Sequence, residues 1–164
     1  MKKLYIVRHA KSSWENSFLA DDERPLNNRG KKDAPIMAQH LKGVISPPEK
    51  IISSHAIRAY DTALIFAEAF EIEEEEVIIH KKMYHASLND LFQEVTLFDD
   101  AIDSIMLFGH NPGLTEFVNK ISGSSIDNIS TCGVAGIFFD VDSWQNLNHI
   151  RGSLEFYYYP KGLL

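Results

Sequence analysis

Short segments rich in aliphatic and β-branched residues alternate along this chain with longer segments whose apolar residues recur every three or four positions. Short apolar runs are typical of strands buried in a sheet, whereas longer periodic segments are typical of helices that bury one face. This alternation predicts βαβ units and a parallel sheet. The predicted strands are Leu4–Val7, Lys50–Ser53, Val77–Ile79 and Ser104–Phe108, and the predicted helices are Gly30–Leu41, Ala56–Phe70 and Leu88–Phe98.

The C-terminal part of the chain departs from this alternation. Residues 133–141 and 150–159 are predicted as two strands with no helix of comparable length between them, so we expect them to pair antiparallel. The sequence therefore predicts an α/β fold, a three-layer sandwich with a mostly parallel central sheet, antiparallel C-terminal strands and helices on both faces. Because 164 residues suit one hydrophobic core, we expect a single domain over residues 1–164.

Acidic residues outnumber basic ones, 23 against 16, and the formal net charge is −7. This balance disfavours binding to DNA or RNA, which depends on surplus cations. No apolar stretch approaches the roughly 20 residues that cross a bilayer, and the run after the N-terminal lysines is too short for a secretory signal. The single cysteine, Cys132, excludes an internal disulfide and a multi-cysteine zinc site. We expect a cytoplasmic protein without nucleic-acid or membrane partners.

Basic side chains follow three of the predicted strands, at the edge of a parallel sheet where ligands bind. Arg8 and His9 follow the first strand, Arg58 follows the second, and His110 follows the strand that starts at Ser104. The same turns carry few carboxylates, so we expect a positive pocket whose ligand is an anion. Arginine suits bidentate recognition of phosphate, and histidine can attack phosphorus to form a covalent intermediate.

Motifs at these positions resemble those of the histidine phosphatase superfamily, also called phosphoglycerate-mutase-like. Arg-His-Ala-Lys-Ser at 8–12 is similar to its Arg-His-Gly signature, and the segment at 24–30 is similar to the one that leads into its first helix. Residues 53–63 and Gly-His-Asn-Pro-Gly at 109–113 resemble its second and third motifs. Within the superfamily, this short chain most resembles the small bacterial phosphohistidine phosphatases.

The resemblance implies a role for each matching residue. His9 matches the nucleophile, Arg8 and Arg58 match the arginines that bind phosphoryl oxygens, and His110 matches the histidine that hydrogen-bonds one of them. We expect His9 to attack as a neutral imidazole and His110 to donate a hydrogen bond, with a cationic ring as one option. Ser12 is a further candidate phosphate ligand. No metal or other cofactor is implied, because guanidinium groups can stabilise the transferring charge.

The chain departs from the family pattern at the general acid. Many members carry a glutamate after the third strand that protonates the leaving group, but residues 82–90 contain none. Asp90 and His85 are the candidates there, and the acid is otherwise unassigned. A phosphate monoester leaves as a poor alkoxide and benefits from a positioned acid, whereas phosphohistidine leaves as an imidazole. The departure therefore favours a phosphoramidate substrate.

These arguments predict a phosphatase that hydrolyses phosphohistidine or a related phosphoramidate through a covalent intermediate on His9. The expected partner is a protein that bears phosphohistidine, and the sequence makes no prediction of oligomeric state. One alternative is an enzyme acting on small phosphate monoesters, and another is a non-catalytic module that only binds phosphate. A metal-dependent hydrolase is disfavoured, because no His-x-His or His-Glu-x-x-His spacing is present.

Overall fold

The computed structural model describes residues 1–163, and Leu164, the last residue of the predicted domain, lies outside them. Within this range the chain alternates strands with helices as far as the fourth helix and ends in two strands. The elements, in chain order, are β1 (Lys2–Arg8), α1 (Asn28–Lys42), β2 (Lys50–Ser53), α2 (Ile57–Ala69), β3 (Val77–Ile79), α3 (Leu88–Thr96), β4 (Ser104–Gly109), α4 (Gly113–Ser122), β5 (Val134–Phe139) and β6 (Ser153–Tyr158).

The strands within residues 1–163 form one sheet of six, in the order β3-β2-β4-β1-β5-β6. The first four strands of the chain are mutually parallel, whereas β5 pairs antiparallel with β1 and with β6. The predicted α/β fold is confirmed, including the antiparallel pairings of the C-terminal strands. Because β6 is antiparallel to β5, it runs in the same direction as β1.

Alternate residues of each central strand bury against opposite faces of the sheet, as the pleat requires. Leu4 and Ile6 of β1 pack into a core with α3 and α4, whereas Tyr5 and Val7 pack into a second core with α1 and α2. Helices therefore cover both faces and complete the predicted three layers. No helix within residues 1–163 has the length and apolarity needed to cross a membrane.

Two segments differ from the sequence prediction. The strand predicted to begin at Ile150 begins at Ser153: a short 3-10 helix, Trp144–Asn148, precedes it, and the N–H of Gly152 donates to the carbonyl of Ile121 at 2.7 Å. The long connection from β1 to α1, predicted without structure of its own, contains a 3-10 turn at Asp21–Glu23. This turn lies against the N-terminal part of α2, where it contributes to the site described next.

Candidate active site

The strand register brings the predicted site residues to one edge of the sheet. Arg8 pairs with Gly109 across β1 and β4, and the N–H of His9 donates to the carbonyl of Gly109 at 3.2 Å. The side chains that follow these strands therefore converge. The ring centroids of His9 and His110 lie 5.2 Å apart, and Nη2 of Arg58 lies 3.4 Å from Nδ1 of His110.

Arg8 lines the same cleft as His9, a cavity of about 390 Å³. Its Nη1 donates to the carbonyl of Ile129 at 2.8 Å, which ties the guanidinium to the loop before β5. All four residues predicted from the motifs, Arg8, His9, Arg58 and His110, thus lie at one edge of the sheet.

The ring of His9 is almost fully buried and has a defined tautomer. Nδ1 lies 2.7 Å from the carbonyl oxygen of Ala10, so Nδ1 carries the proton and Nε2 keeps its lone pair. Burial lowers the pKa of His9, and the positive charges of Arg58, Arg8 and Arg24 lower it as well, whereas the hydrogen bond to Ala10 raises it. The resulting pKa is about 4. His9 is therefore a neutral imidazole at pH 7, as a nucleophile requires.

His110 is also neutral at pH 7 in this structure. Burial, followed by the neighbouring His9 and Arg58, lowers the pKa of His110 to about 2. Because a guanidinium can only donate, Nδ1 accepts from Arg58 and Nε2–H donates to Oγ of Ser54 at 2.8 Å. In the ligand-free site the buried position of His110 beside an arginine disfavours a second positive charge, and a donating or cationic ring toward a bound phosphoryl group stays a prediction.

Asp21 is a carboxylate that the sequence analysis did not place in the site. Its Oδ2 accepts from Nη2 of Arg58 at 2.9 Å, from the hydroxyl of Tyr84 at 2.5 Å and from Nε2 of His85 at 3.1 Å. Partial burial opposes ionisation, but these hydrogen bonds outweigh it and hold the pKa of Asp21 well below its usual range. The turns that follow the strands carry few carboxylates, but Asp21 brings one to the cations from a distant turn.

Arg24 is a further cation that the sequence analysis did not assign to the site. It lines the His9 cleft, and its Nη1 donates to Oγ of Ser12 at 2.8 Å. Its Nε lies 3.2 Å from Oδ1 of Asp21, and its guanidinium carbon lies 3.5 Å from the ring centroid of Trp14. Ser12 lies in the cleft and accepts from Arg24, and its role as a phosphate ligand stays a prediction. The sequence signal that could have identified Arg24 is its position in the segment at 24–30, which resembles the family pattern.

The two candidates for the general acid have different surroundings. Asp90 is exposed and closes a capping box at the start of α3, where it accepts from the N–H of Ser87 at 3.0 Å. His85 instead lies beside the cluster, with its ring centroid 5.1 Å from that of His110. Its backbone has φ 49°, a conformation that residues with a Cβ adopt at a cost and that is common at functional sites. The structure therefore brings His85, and not Asp90, to the cluster.

The sequence profile of the histidine phosphatase superfamily, branch 1, matches residues 4–90. The chain belongs to this superfamily.

Relatives of this superfamily member cover nearly all of its length. An uncharacterised chloroplast protein of Arabidopsis thaliana is 30% identical over 161 residues, which span 92% of this chain and 72% of that protein. A solved structure from Agrobacterium tumefaciens, provisionally described as the phosphohistidine phosphatase SixA, has 25% identity and a TM-score of 0.80, with 97% and 98% of the two chains covered. The protein histidine phosphatase SixA complexed with tungstate has a TM-score of 0.84 over 99% of each chain at 18% identity, a likeness of fold.

The site of this superfamily member has donors ready for an anion. Among residues 1–163, neither the Nε of Arg8 nor that of Arg58 has a hydrogen-bond partner, although both atoms are buried. A buried cationic donor without a partner is costly, so it favours a ligand that supplies acceptors. A phosphoryl group has several acceptor oxygens. The arrangement can therefore hold a phosphoryl group next to a neutral imidazole.

Proposed function

We propose that this chain is a phosphatase that hydrolyses phosphohistidine on a protein, through a covalent intermediate on His9. The observation that carries the proposal is the neutral ring of His9, with Nδ1 bound to Ala10 and Nε2 left with its lone pair beside Arg8 and Arg58. Membership of a phosphatase superfamily supports a hydrolase. The likeness to the Agrobacterium tumefaciens protein supports phosphohistidine as the substrate.

The reaction proceeds in two in-line steps. In the first, Nε2 of His9 attacks phosphorus, the P–N bond of the substrate breaks, and the substrate histidine leaves as imidazole. In the second, water attacks phosphorus, the bond from phosphorus to His9 breaks, and phosphate leaves with Nε2 free again. Arg8 and Arg58 bind the phosphoryl oxygens and offset the charge on them in the transition state.

His110 supplies a hydrogen bond to the same group. Its Nε2 donates to Ser54 at 2.8 Å, whereas its Nδ1 has only the longer contact of 3.4 Å with Nη2 of Arg58, so Nδ1 becomes available when Arg58 turns to a bound phosphoryl group. A bound phosphoryl dianion raises the pKa of a neighbouring imidazole, which allows Nδ1 to carry a proton. His110 therefore becomes a donor when the substrate binds, although its ring is neutral in the empty cleft.

The carboxylate at the cluster favours P–N over P–O cleavage. Asp21 is the carboxylate hydrogen-bonded to Arg58, and its partners hold it ionised, so it has no proton to give to an alkoxide. The leaving imidazole of phosphohistidine needs less help, because its other nitrogen can already be protonated at neutral pH. The alternative of small phosphate monoesters as substrates is accordingly disfavoured.

Trapping of a labelled phosphoryl group tests the covalent step. A substrate peptide carrying [32P]phosphohistidine is mixed with the protein, quenched in alkali, and protein-bound label is counted. Label is expected on the wild type and absent from His9→Ala, while His149→Ala, which removes an exposed histidine, keeps it. Label retained by His9→Ala would exclude His9 as the nucleophile, and absence of turnover in the wild type would favour a phosphate-binding module.

Substrate comparison tests the class of phosphate. Turnover of a phosphohistidine peptide is compared with that of p-nitrophenyl phosphate, phosphoserine and a sugar phosphate, each with and without EDTA. We expect the phosphohistidine peptide to have the highest kcat/KM, and the rates to be unchanged in EDTA. Faster hydrolysis of the sugar phosphate than of the phosphohistidine peptide would instead support the monoester alternative.

A further inference from the structure

A second cavity, here called the basic cleft, adjoins the cleft of His9. Its volume is also about 390 Å³. Arg8, Lys11 and Thr131 line both cavities, so the two share a wall at the first motif. The basic cleft extends from there between the start of α1 and the turn that follows β6, where its walls include Arg29 and Lys161.

The side chains around the basic cleft are strongly biased toward positive charge. Arg8 and Lys11 of the first motif, Arg29 of α1 and Lys161 after β6 line it together with one carboxylate, Asp33. Four cations in one cavity contrast with the net charge of −7 of the whole chain. Because like charges repel, such a cluster on an acidic protein favours an anionic ligand.

Asp33, the carboxylate of the basic cleft, engages only part of the cationic hydrogen-bond donors there. Asp33 accepts from Nε of Arg29 at 3.0 and 3.1 Å, which leaves both terminal nitrogens of that guanidinium for another partner. Within residues 1–163, neither a hydrogen bond nor an ion pair engages the exposed ammonium groups of Lys11 and Lys161. The basic cleft therefore presents several free cationic donors beside the phosphoryl site.

We propose that the basic cleft binds an acidic side chain that lies close to the phosphohistidine on the protein substrate. The proposal rests on the proposed function, since it assigns the phosphoryl group to the His9 cleft and the neighbouring carboxylate to the basic cleft. Flexible, exposed lysine and arginine side chains suit a carboxylate on a peptide that continues into solvent. The half-exposed ring of Tyr159 lines the same cleft and offers a surface for the peptide backbone.

A pair of peptides measures the preference. Both carry one phosphohistidine, flanked in one by glutamates and in the other by glutamines at the same positions. For the wild type we expect a KM roughly 3- to 10-fold lower for the glutamate peptide, from two or three partly exposed charge pairs, with kcat unchanged. The double variant Arg29→Gln with Lys161→Gln is expected to lose this difference, and about 0.5 M salt should remove it from the wild type.

A matched double variant controls for net charge. Lys42→Gln with Lys120→Gln removes the same number of charges from the last turns of α1 and α4. Lys42 lies about 20 Å along α1 from Arg29, at the rise of a regular helix. This control should retain the preference for the glutamate peptide, and turnover of p-nitrophenyl phosphate should be equal in all three proteins. Equal KM values for the two peptides in the wild type, or a preference retained after Arg29 and Lys161 are replaced, would overturn the proposal.

Two further measurements distinguish this proposal from a small-molecule site and from a failure of the proposed function. The first is the affinity of a small bisphosphate and of the glutamate peptide for the wild type and for the Arg29→Gln, Lys161→Gln variant. If the double substitution weakens binding of the bisphosphate but not of the peptide, the basic cleft is a small-molecule site and the proposal is overturned. If neither phosphohistidine peptide is hydrolysed, the proposed function fails. The proposal for the basic cleft is then tested with phosphoserine versions of both peptides as inhibitors of p-nitrophenyl phosphate hydrolysis. Equal inhibition by the glutamate and glutamine versions would overturn the proposal.

Discussion

The carboxylate of Asp21 contacts the nearby Arg24 and side chains from two distant parts of the chain. It accepts hydrogen bonds from Arg24, Arg58 and the pair Tyr84 and His85, while its backbone carbonyl accepts from Nη1 of Arg58 at 2.6 Å. A guanidinium held at two points loses less freedom when it binds a phosphoryl group. We therefore expect Asp21 to act as a positioning residue for Arg24 and Arg58.

Replacement of Asp21 by asparagine tests this role. Asp21→Asn removes the charge that orients Arg58, and we expect kcat/KM to fall by roughly 10- to 100-fold, as misplacement of a catalytic group does. Asp22→Asn is the matched control, because Asp22 is adjacent in sequence and contacts His55 at 3.0 Å. Steady-state kinetics with p-nitrophenyl phosphate measure both. Equal losses in the two variants would indicate a general charge effect instead of positioning.

If a side chain of the cluster donates a proton to a poor leaving group, we expect it to be His85. Its ring is half-exposed, hydrogen-bonded to Asp21 and tilted by 52° against the ring of Tyr84, with 4.2 Å between the centroids. We expect His85→Ala to slow hydrolysis of phenyl phosphate by about 10²-fold, the usual contribution of a general acid. Phosphohistidine peptide should be affected far less.

The matched control for this variant is His80→Ala. His80 pairs with Glu94 at 2.7 Å, away from the cluster, so its loss should change neither rate appreciably. The measurement is kcat for phenyl phosphate, p-nitrophenyl phosphate and phosphohistidine peptide on each protein. A uniform loss across the three substrates after His85→Ala would argue for a structural role.

At the level of secondary structure, two close contacts hold the loops of the site in place. A Cβ on Gly30, in the first turn of α1, would collide with the backbone of Lys11, and a Cβ on Gly113, at the start of α4, would collide with the carbonyl of Ala86. The second glycine of the third motif, Gly113, is therefore required by packing, because a side chain there would collide with Ala86. It lets α4 approach the segment that carries His85.

Substitution of that glycine tests the contact between α4 and the His85 segment. Gly113→Ala forces the segment at Ala86 to move, and we expect a loss of roughly 1–3 kcal/mol in the free energy of unfolding together with reduced activity. Gly43→Ala is the control, because its Cβ would lie 3.4 Å from the carbonyl of His40 in a right-handed backbone conformation. Urea denaturation should find Gly43→Ala within about 1 kcal/mol of the wild type. Comparable losses would refute the role assigned to the contact.

At the scale of the whole molecule, the buried imidazoles link stability to pH. The pKa values of His9 and His110 are lowered to about 4 and about 2 in the native state, whereas an unfolded histidine titrates near 6.5. Between these values the unfolded chain binds more protons than the native protein, so stability falls as pH decreases. The contribution is fully present above about pH 6.5 and declines as pH falls toward 4 and below.

Urea unfolding across this range measures the effect. The free energy of unfolding of the wild type should decrease from pH 7 to about pH 4.5, and that of the double variant His9→Asn with His110→Asn should decrease less. His149→Asn, at an exposed position, should follow the wild type. Parallel curves for the wild type and the double variant would show that the two rings do not carry this linkage.

Much of the architecture could be predicted from local pattern. The bounds of β2 and β3 agree with the prediction, because each is a short apolar run ended by polar residues. The ends of α3 and β6 were less accurate, since the last turn of a helix and the start of an edge strand depend on tertiary contacts such as the bond from Gly152 N–H to the carbonyl of Ile121.

The sequence by itself determined the fold class and the convergence of Arg8, His9 and His110, because the carboxyl ends of parallel strands meet at one edge whatever the loops do. Only the tertiary structure decided that Asp21 lies among these cations, that the ring of His110 is neutral in the empty site and that a basic cleft adjoins His9. Those features depend on burial and on approaches between segments far apart in the chain. No local periodicity encodes them, since desolvation and charge proximity arise only after packing.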